Sequence, residues 1–334
     1  MTTAISPRLA LLCGWACLAC STSLAAQSIK FDVVGTIPGP ADLVRVSGTY
    51  AYVSAGDTLR IVDISAPSAP KPRGMVQLPA PALAIAVSES AVYATMGLRG
   101  LAVVDVRNAD TPAVVGLYKT PGEAIRIAVA GTRVVLSDRM SGADVIDISD
   151  RAKPAPVGAY YTDGYTRDVA IVGSLAFVVD STNDFAIVDL SREGEPRALS
   201  TQQSPFTSTL VAVSNSAQAP KTAYVGGGGS LQVFDVSNPA APRKLGVTKI
   251  HERAAALAVD GGFGYVVVGT DGLQVLDLSD PGHPVQAGSY KTAGSARDVA
   301  VAGDLILVTV GSAARPAPGG SAPAAGVVIL RRSR

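Results

Sequence analysis

The sequence predicts an all-β chain, a seven-bladed β-propeller of four-stranded antiparallel blades whose last blade is closed by the N-terminal strand. Three observations carry this. A short phrase recurs as LRIVDIS (59–65), LAVVDVR (101–107), ADVIDIS (143–149), FAIVDLS (185–191), LQVFDVS (231–237) and LQVLDLS (273–279). Its aspartates, Asp63, Asp105, Asp147, Asp189, Asp235 and Asp277, are spaced 42, 42, 42, 46 and 42 residues apart. A period near 42 with several strand-like runs per period marks a propeller blade rather than a helical solenoid. Finally, no stretch after residue 26 carries a convincing helical period.

Blade three illustrates the unit. IRIAVAG (125–131), TRVVLSD (132–138), ADVIDIS (143–149) and PAPVGAYY (154–161) are β-rich runs. Turn-forming Gly, Pro, Asp and Ser separate them, as hairpins of a meander require. The innermost strand recurs seven times: VRVSG (44–48), IAVSE (85–89), IAVAG (127–131), VAIVG (169–173), VAVSN (211–215), LAVDG (257–261) and VAVAG (299–303). The third strand appears a seventh time as GVVILR (326–331), with Arg331 where the aspartate should stand. No outer strand follows it. FDVVGTIP (31–38) matches the outer strands and precedes the first inner one, so the two ends are expected to share a blade and hide two raw sheet edges. Two insertions break the period. SNSAQAPKT (214–222) lengthens a turn of blade five, and the Ala, Pro and Gly-rich GSAARPAPGGSAPAAG (311–326) interrupts blade seven.

Residues 1–26 read as a secretory signal peptide, with Arg8, the apolar run LALLCGWACLAC and small residues before a cut after Ala26. The run is short for a membrane span. No twin arginine is present, and a lipid anchor on Cys20 fits poorly with Cys17 and Leu18 upstream. The expected location is periplasmic or extracellular, with 27–334 forming one propeller domain. All three cysteines and Trp15 lie in the leader, so the exported chain would carry no disulfide. Loss of Arg8 takes 28 basic and 27 acidic residues to 27 of each. A neutral chain with few aromatics is a poor fit for nucleic acid.

The phrases LRIVDIS, LAVVDVR and FAIVDLS, each followed by a proline-bounded turn such as SAPSAP (65–70), resemble the LVIVD repeat family of exported and surface proteins. The resemblance implies the propeller and the export. It implies little about activity, because propellers serve as binding platforms, scaffolds and enzymes alike.

The repeated aspartate reads as structural: a short carboxylate ending a strand before Ser or Asn can take backbone amides of the turn. Function is better sought where the blades disagree, on the loops at one mouth of the channel. There, polar residues concentrate on blades three and four: Arg126, Asp138, Arg139, Arg167, Asp168 and Asp180, with Asp163, Tyr165, Asn183 and Asp184 in adjoining loops. Arginines would hold a carboxylate, sulfate or sugar acid, and carboxylates would take hydroxyls. The competing reading is a set of Arg–Asp staples between blades, which the recurrence of Arg167-Asp168 and Arg297-Asp298 favours for those pairs.

His251-Glu252-Arg253, in the loop leading to blade six, holds one of two histidines; beside a carboxylate it could act as a general base. His283 sits in a turn and reads as structural. DSTND (180–184) gathers oxygen donors without the EF-hand pattern, and two distant histidines make a poor zinc site. GGGGS (226–230) reads as a flexible turn. No nucleophile elbow, phosphate loop or dinucleotide fingerprint appears. The expectation is therefore a monomeric binding protein without metal or cofactor, for a protein partner, a glycan or a small anionic molecule. The rival is a lyase, hydrolase or isomerase whose proton carriers would be Asp138, Asp180 or His251.

Overall fold

The structure is a computed structural model that describes residues 29–139, 142–182, 185–192, 194–203, 207–214, 222–252, 254–311 and 325–333. Residues 1–28, which include the expected signal peptide, Asn183, Asp184, Arg253 and most of both insertions lie outside the described residues. Seven four-stranded antiparallel sheets form, each running inner, second, third and outer strand in chain order, except the last. The inner strands are Leu43–Ser47, Ala84–Ser88, Ala124–Ala130, Thr166–Val172, Leu210–Ser214, Ala256–Asp260 and Ala296–Ala302 for blades one to seven.

Blade seven closes the ring as the repeat demanded. Lys30–Pro38 pairs antiparallel with Gly326–Ser333, from Lys30 opposite Ser333 to Pro38 opposite Gly326. The amide of Ile29 also donates to the carbonyl of Ala287 in the outer strand of blade six, at 2.8 Å. Where the other blades carry the aspartate, Arg331 pairs instead with Asp304 at 2.7 Å.

The six repeated aspartates do one job. Their Oδ1 atoms accept the backbone amides of Ser65, Arg107, Ser149, Ser191, Ser237 and Ser279 at 2.8–3.0 Å. Each fixes the turn between third and outer strands. Such bonds favour the ionised form, and the Asp63, Asp147 and Asp189 carboxyls sit below their ordinary value chiefly through the serine amide.

A second ring-wide device lies in the outer strands. Gly35, Gly74, Gly116, Gly158, Gly246 and Gly288 each stand at a register slip of the outer strand. A side chain there would collide with the turn of the following blade: Pro67, Ala109, Arg151, Gly194 and Pro281 for the first five. Gly288 meets Ile29 instead, so the N-terminal segment takes the place of the turn that blade seven lacks. Blade four has Ser200 at this position, and its hydroxyl donates to the carbonyl of Pro239 at 2.8 Å. Only glycine or a bonded serine permits so close an approach.

The core consists of seven apolar clusters, each between neighbouring blades; Tyr52, Leu59 and Ile61 of blade one meet Ile85, Val92 and Ala102 of blade two. The blades therefore stack face to face, and their inner strands surround a narrow channel.

Candidate functional site

The channel mouth is built from the first residues of the inner strands and encloses a cavity of about 300 Å³. One aligned position of the inner strands, paired with the middle of the second strand, is alanine in six blades: Ala86, Ala128, Ala170, Ala212, Ala258 and Ala300. The seventh is Arg45, which lines the cavity with Arg126, Arg297, Asp168 and Asp298. Small side chains keep the inner strands close together. The lone arginine puts a permanent cation into the space they leave.

The two aspartates clasp seams. Asp298, 4 % exposed, accepts the amide of Val44 in blade one at 3.0 Å and its own neighbour Val299 at 2.9 Å. Arg45 Nη1 adds a 2.6 Å bond to the same Oδ2 that Val44 uses. Asp168 repeats this between blades four and five, accepting Val169 and Val211 amides at 3.0 Å each. Its carboxyl is raised by burial, opposed by Arg126, the Val211 and Val169 amides and Arg45. The Asp168 side chain keeps 16 % exposure where it lines the cavity.

Arg126 is less committed. Arg126 Nε stands 4.0 Å from Asp168, and Nη1 lies 3.5 Å from the carbonyl of Ile125. Neither contact is a strong bond. Arg297 pairs with Asp42 of blade one, and Thr309 ties Asp298 to the Asp42 carbonyl.

Of the sequence candidates, Arg126 and Asp168 meet at the cavity. Arg139 pairs with Glu123 at 3.1 Å on the same face. Asp163, Tyr165 and Arg167 are exposed there. The side chain of Asp138 is fully buried and accepts the amide of Gly122, holding the loop into blade three. Asp180 accepts the amide and hydroxyl of Thr182 at 2.7 and 3.1 Å. Neither lines the channel cavity. His251 stands in a separate groove between blades five and six, 3.2 Å from Asp271. His283 bonds Asp280 in its turn at 2.9 Å. The three candidate proton carriers are thus not brought into one constellation.

Two residues escaped the sequence reading. Arg45 interrupts a column of alanines that an alignment of inner strands would have exposed. Asp144 lies in the third strand of blade three, 5 % exposed, with Oδ2 making no hydrogen bond. Burial pushes its carboxyl up to about 6, and Asp138 adds to the shift. Leu136 faces Asp144 and Asp138 faces Gly142 in the register, so the two carboxylates are diagonal neighbours across the space a glycine leaves. A further repeat was also missed. Tyr-x-Thr-x-Gly at 118–122, 160–164 and 290–294 forms one loop type, in which Thr120, Thr162 and Thr292 hydroxyls donate to the carbonyls of Gly122, Gly164 and Gly294.

The profile of the LVIVD repeat matches residues 38–77, 81–120, 121–162, 163–198, 221–247 and 253–292. The chain belongs to the LVIVD repeat family. No curated protein matches it in sequence. Among solved structures it resembles the β-propeller domain of Cps50 (Swd1) from Myceliophteria thermophila, with a TM-score of 0.73 and 9 % identity over 90 % of this chain and 99 % of that one. It also resembles the computationally designed protein Ika8, with a TM-score of 0.57 and 12 % identity over 85 % and 83 % of the two chains. At these identities the likeness is one of fold. The six matched repeats fall on blades one to six, and blade seven, where Arg331 replaces the aspartate, lies outside them.

Proposed function

We propose that this LVIVD-repeat propeller is an exported binding protein that takes a small carboxylate-bearing ligand at its channel mouth and performs no chemistry on it. The leader-like residues 1–26 and the family support export; among the described residues, no helix is long and apolar enough to cross a membrane. The single observation that carries the ligand class is Arg45 among six alanines, with Arg126 facing the same cavity and only loosely paired. Asp168 and Asp298 are occupied by amides across the seams, so they hold the arginines without fully spending them. Fork-shaped guanidinium donors match a carboxylate in geometry as well as charge. The binding reading is preferred over catalysis because Asp138 and Asp180 are buried and engaged in holding loops.

Calorimetric titration with succinate, citrate and glucuronate, against glucose as the neutral control, tests this. At least one acid should bind and glucose should not, with Arg126→Ala weakening the acid by about tenfold at an unchanged melting temperature. Failure of all three acids, or equal affinity in Arg126→Ala, removes the reading.

A further inference from the structure

The seams between blades open outward into rim grooves, and two of these correspond in position yet differ in chemistry. Between blades five and six the groove is polar and internally paired. His251 meets Asp271, while Gln274 donates to the carbonyl of Lys249 and to Gln286. Between blades one and two the same place is a cavity of about 490 Å³ lined by Pro79, Met96, Leu98, Leu117 and Tyr118. Leu98 is 72 % exposed and Leu117 57 % exposed. Arg99 and Lys119 stand at its edge, both exposed, and neither forms an ion pair among the described residues.

An apolar groove rimmed by charges without partners is a signature of recognition rather than of folding. Both exposed leucines cost solubility and contribute little to the core. Their position continues inward: Leu83, itself at the channel mouth, packs beside Gly97, the residue before Leu98. We propose that the rim groove between blades one and two docks a partner protein through a segment that seats apolar side chains on Leu98 and Leu117 and sets Asp or Glu residues against Arg99 and Lys119. Two exposed cations beside an apolar lining suit a chain segment that carries carboxylates around its apolar side chains. The anchor supplies affinity, and the charges supply encounter rate and selectivity. This surface is independent of the channel-mouth ligand, since Arg126 and Arg45 do not line it.

The test uses a fluorescent peptide with a central Leu-Phe pair flanked by glutamates, a second with lysines in place of the glutamates, and a third with Ser-Ser in place of the apolar pair. Anisotropy against the full-length protein should show binding of the first only, weakening as salt is raised. Leu98→Ser should weaken it by about tenfold, and the double change Arg99→Glu with Lys119→Glu should abolish it and admit the lysine peptide instead. These residues are exposed, so thermal midpoints should stay put, and Arg126→Ala should leave peptide binding unchanged. Equal binding of the lysine or Ser-Ser peptide, indifference to both sets of substitutions, or no binding at all up to about 1 mM, the weak limit of specific recognition, overturns the proposal. So does binding of phosphatidylserine vesicles with the same dependence on Leu98 and Arg99, which would assign the groove to a membrane surface.

Discussion

At the seam between blades seven and one, the Asp298 carboxylate is met by the amides of Val44 and Val299 and by the Arg45 guanidinium. At the seam between blades two and three, Asp144 is buried to the same degree, has an oxygen with no hydrogen bond, and faces a second carboxylate, Asp138. One seam gives its carboxylate a ready-made socket of donors. The other buries one against its preference, so that the carboxyl keeps its proton up to about pH 6. Burial alone does not decide whether a carboxylate stabilises a blade interface; the donors aimed at it do. The same socket recurs at Asp168 between blades four and five, so it belongs to the seams and not to the joining of the chain ends, which meet within blade seven.

The largest effect expected comes from removing the strand that closes the ring. A chain lacking residues 27–38 loses the partner of Gly326–Ser333 and exposes Ile37, Val327 and Ile329. Stability should fall by several kcal/mol, seen as a much lower chemical-denaturation midpoint, and a midpoint equal to that of the full chain would break the closure argument. At the seam between blades seven and one, Asp298→Ala strands the buried Val44 amide and takes the short partner from the half-buried Arg45. The expected loss is about 3 kcal/mol, measured by urea unfolding. A loss below about 1 kcal/mol would mean that the socket is no better than the unsatisfied seam.

The opposite sign is expected at Asp144. Its carboxyl is raised from 3.8 to about 6. The folded protein therefore binds the proton more tightly than the unfolded chain. The stabilising contribution is complete below about pH 4, declines as the pH rises between about 4 and 6, and is gone above that. Asp144→Asn keeps the shape and cannot ionise. It should raise stability relative to the parent by up to about 3 kcal/mol near pH 7.5, and hardly at all near pH 4. Urea midpoints of both proteins at the two pH values check this; a pH-independent difference would show that folding does not raise the Asp144 carboxyl.

Much of this contrast was hidden in the sequence, although the ring was not. The repeated aspartates and the 42-residue period made the blades, their order and the seventh-blade closure legible, because each blade repeats the same local solution. The Arg297-Asp298 recurrence pointed to staples between blades, and Asp298 is one. Its chief partner across the seam is a backbone amide, which no residue pattern can announce. Arg126 was found because it broke a column at the start of the inner strand. Arg45 breaks the column two positions on just as plainly, but inside a strand rather than at its start. Asp144 stood within the repeated phrase itself and was masked by the family pattern. The outer-strand glycines were visible too. Their reason lies in the turn of the next blade, which the sequence of one blade does not contain.

The smallest expected effect on stability is that of Arg126→Ala, and it sharpens the comparison most finely. Arg126 stands beside Asp168 as Arg45 stands beside Asp298, yet its nearest nitrogen is 4.0 Å away where Arg45 reaches 2.6 Å. Asp168 is already held by the Val169 and Val211 amides, so the socket survives loss of this arginine. A loose, partly exposed pair contributes about 1 kcal/mol or less. Arg126→Ala should therefore shift the thermal midpoint by no more than a degree or two for a chain of this size. Arg45→Ala should shift it more, because it removes a short bond from a buried carboxylate. If the two substitutions destabilise equally, Arg126 belongs to the seam and its donors are not free for a ligand. If Arg126→Ala leaves the fold intact and weakens the acid, the two arginines differ in degree: Arg45 serves both the seam and the cavity, and Arg126 serves the ligand alone.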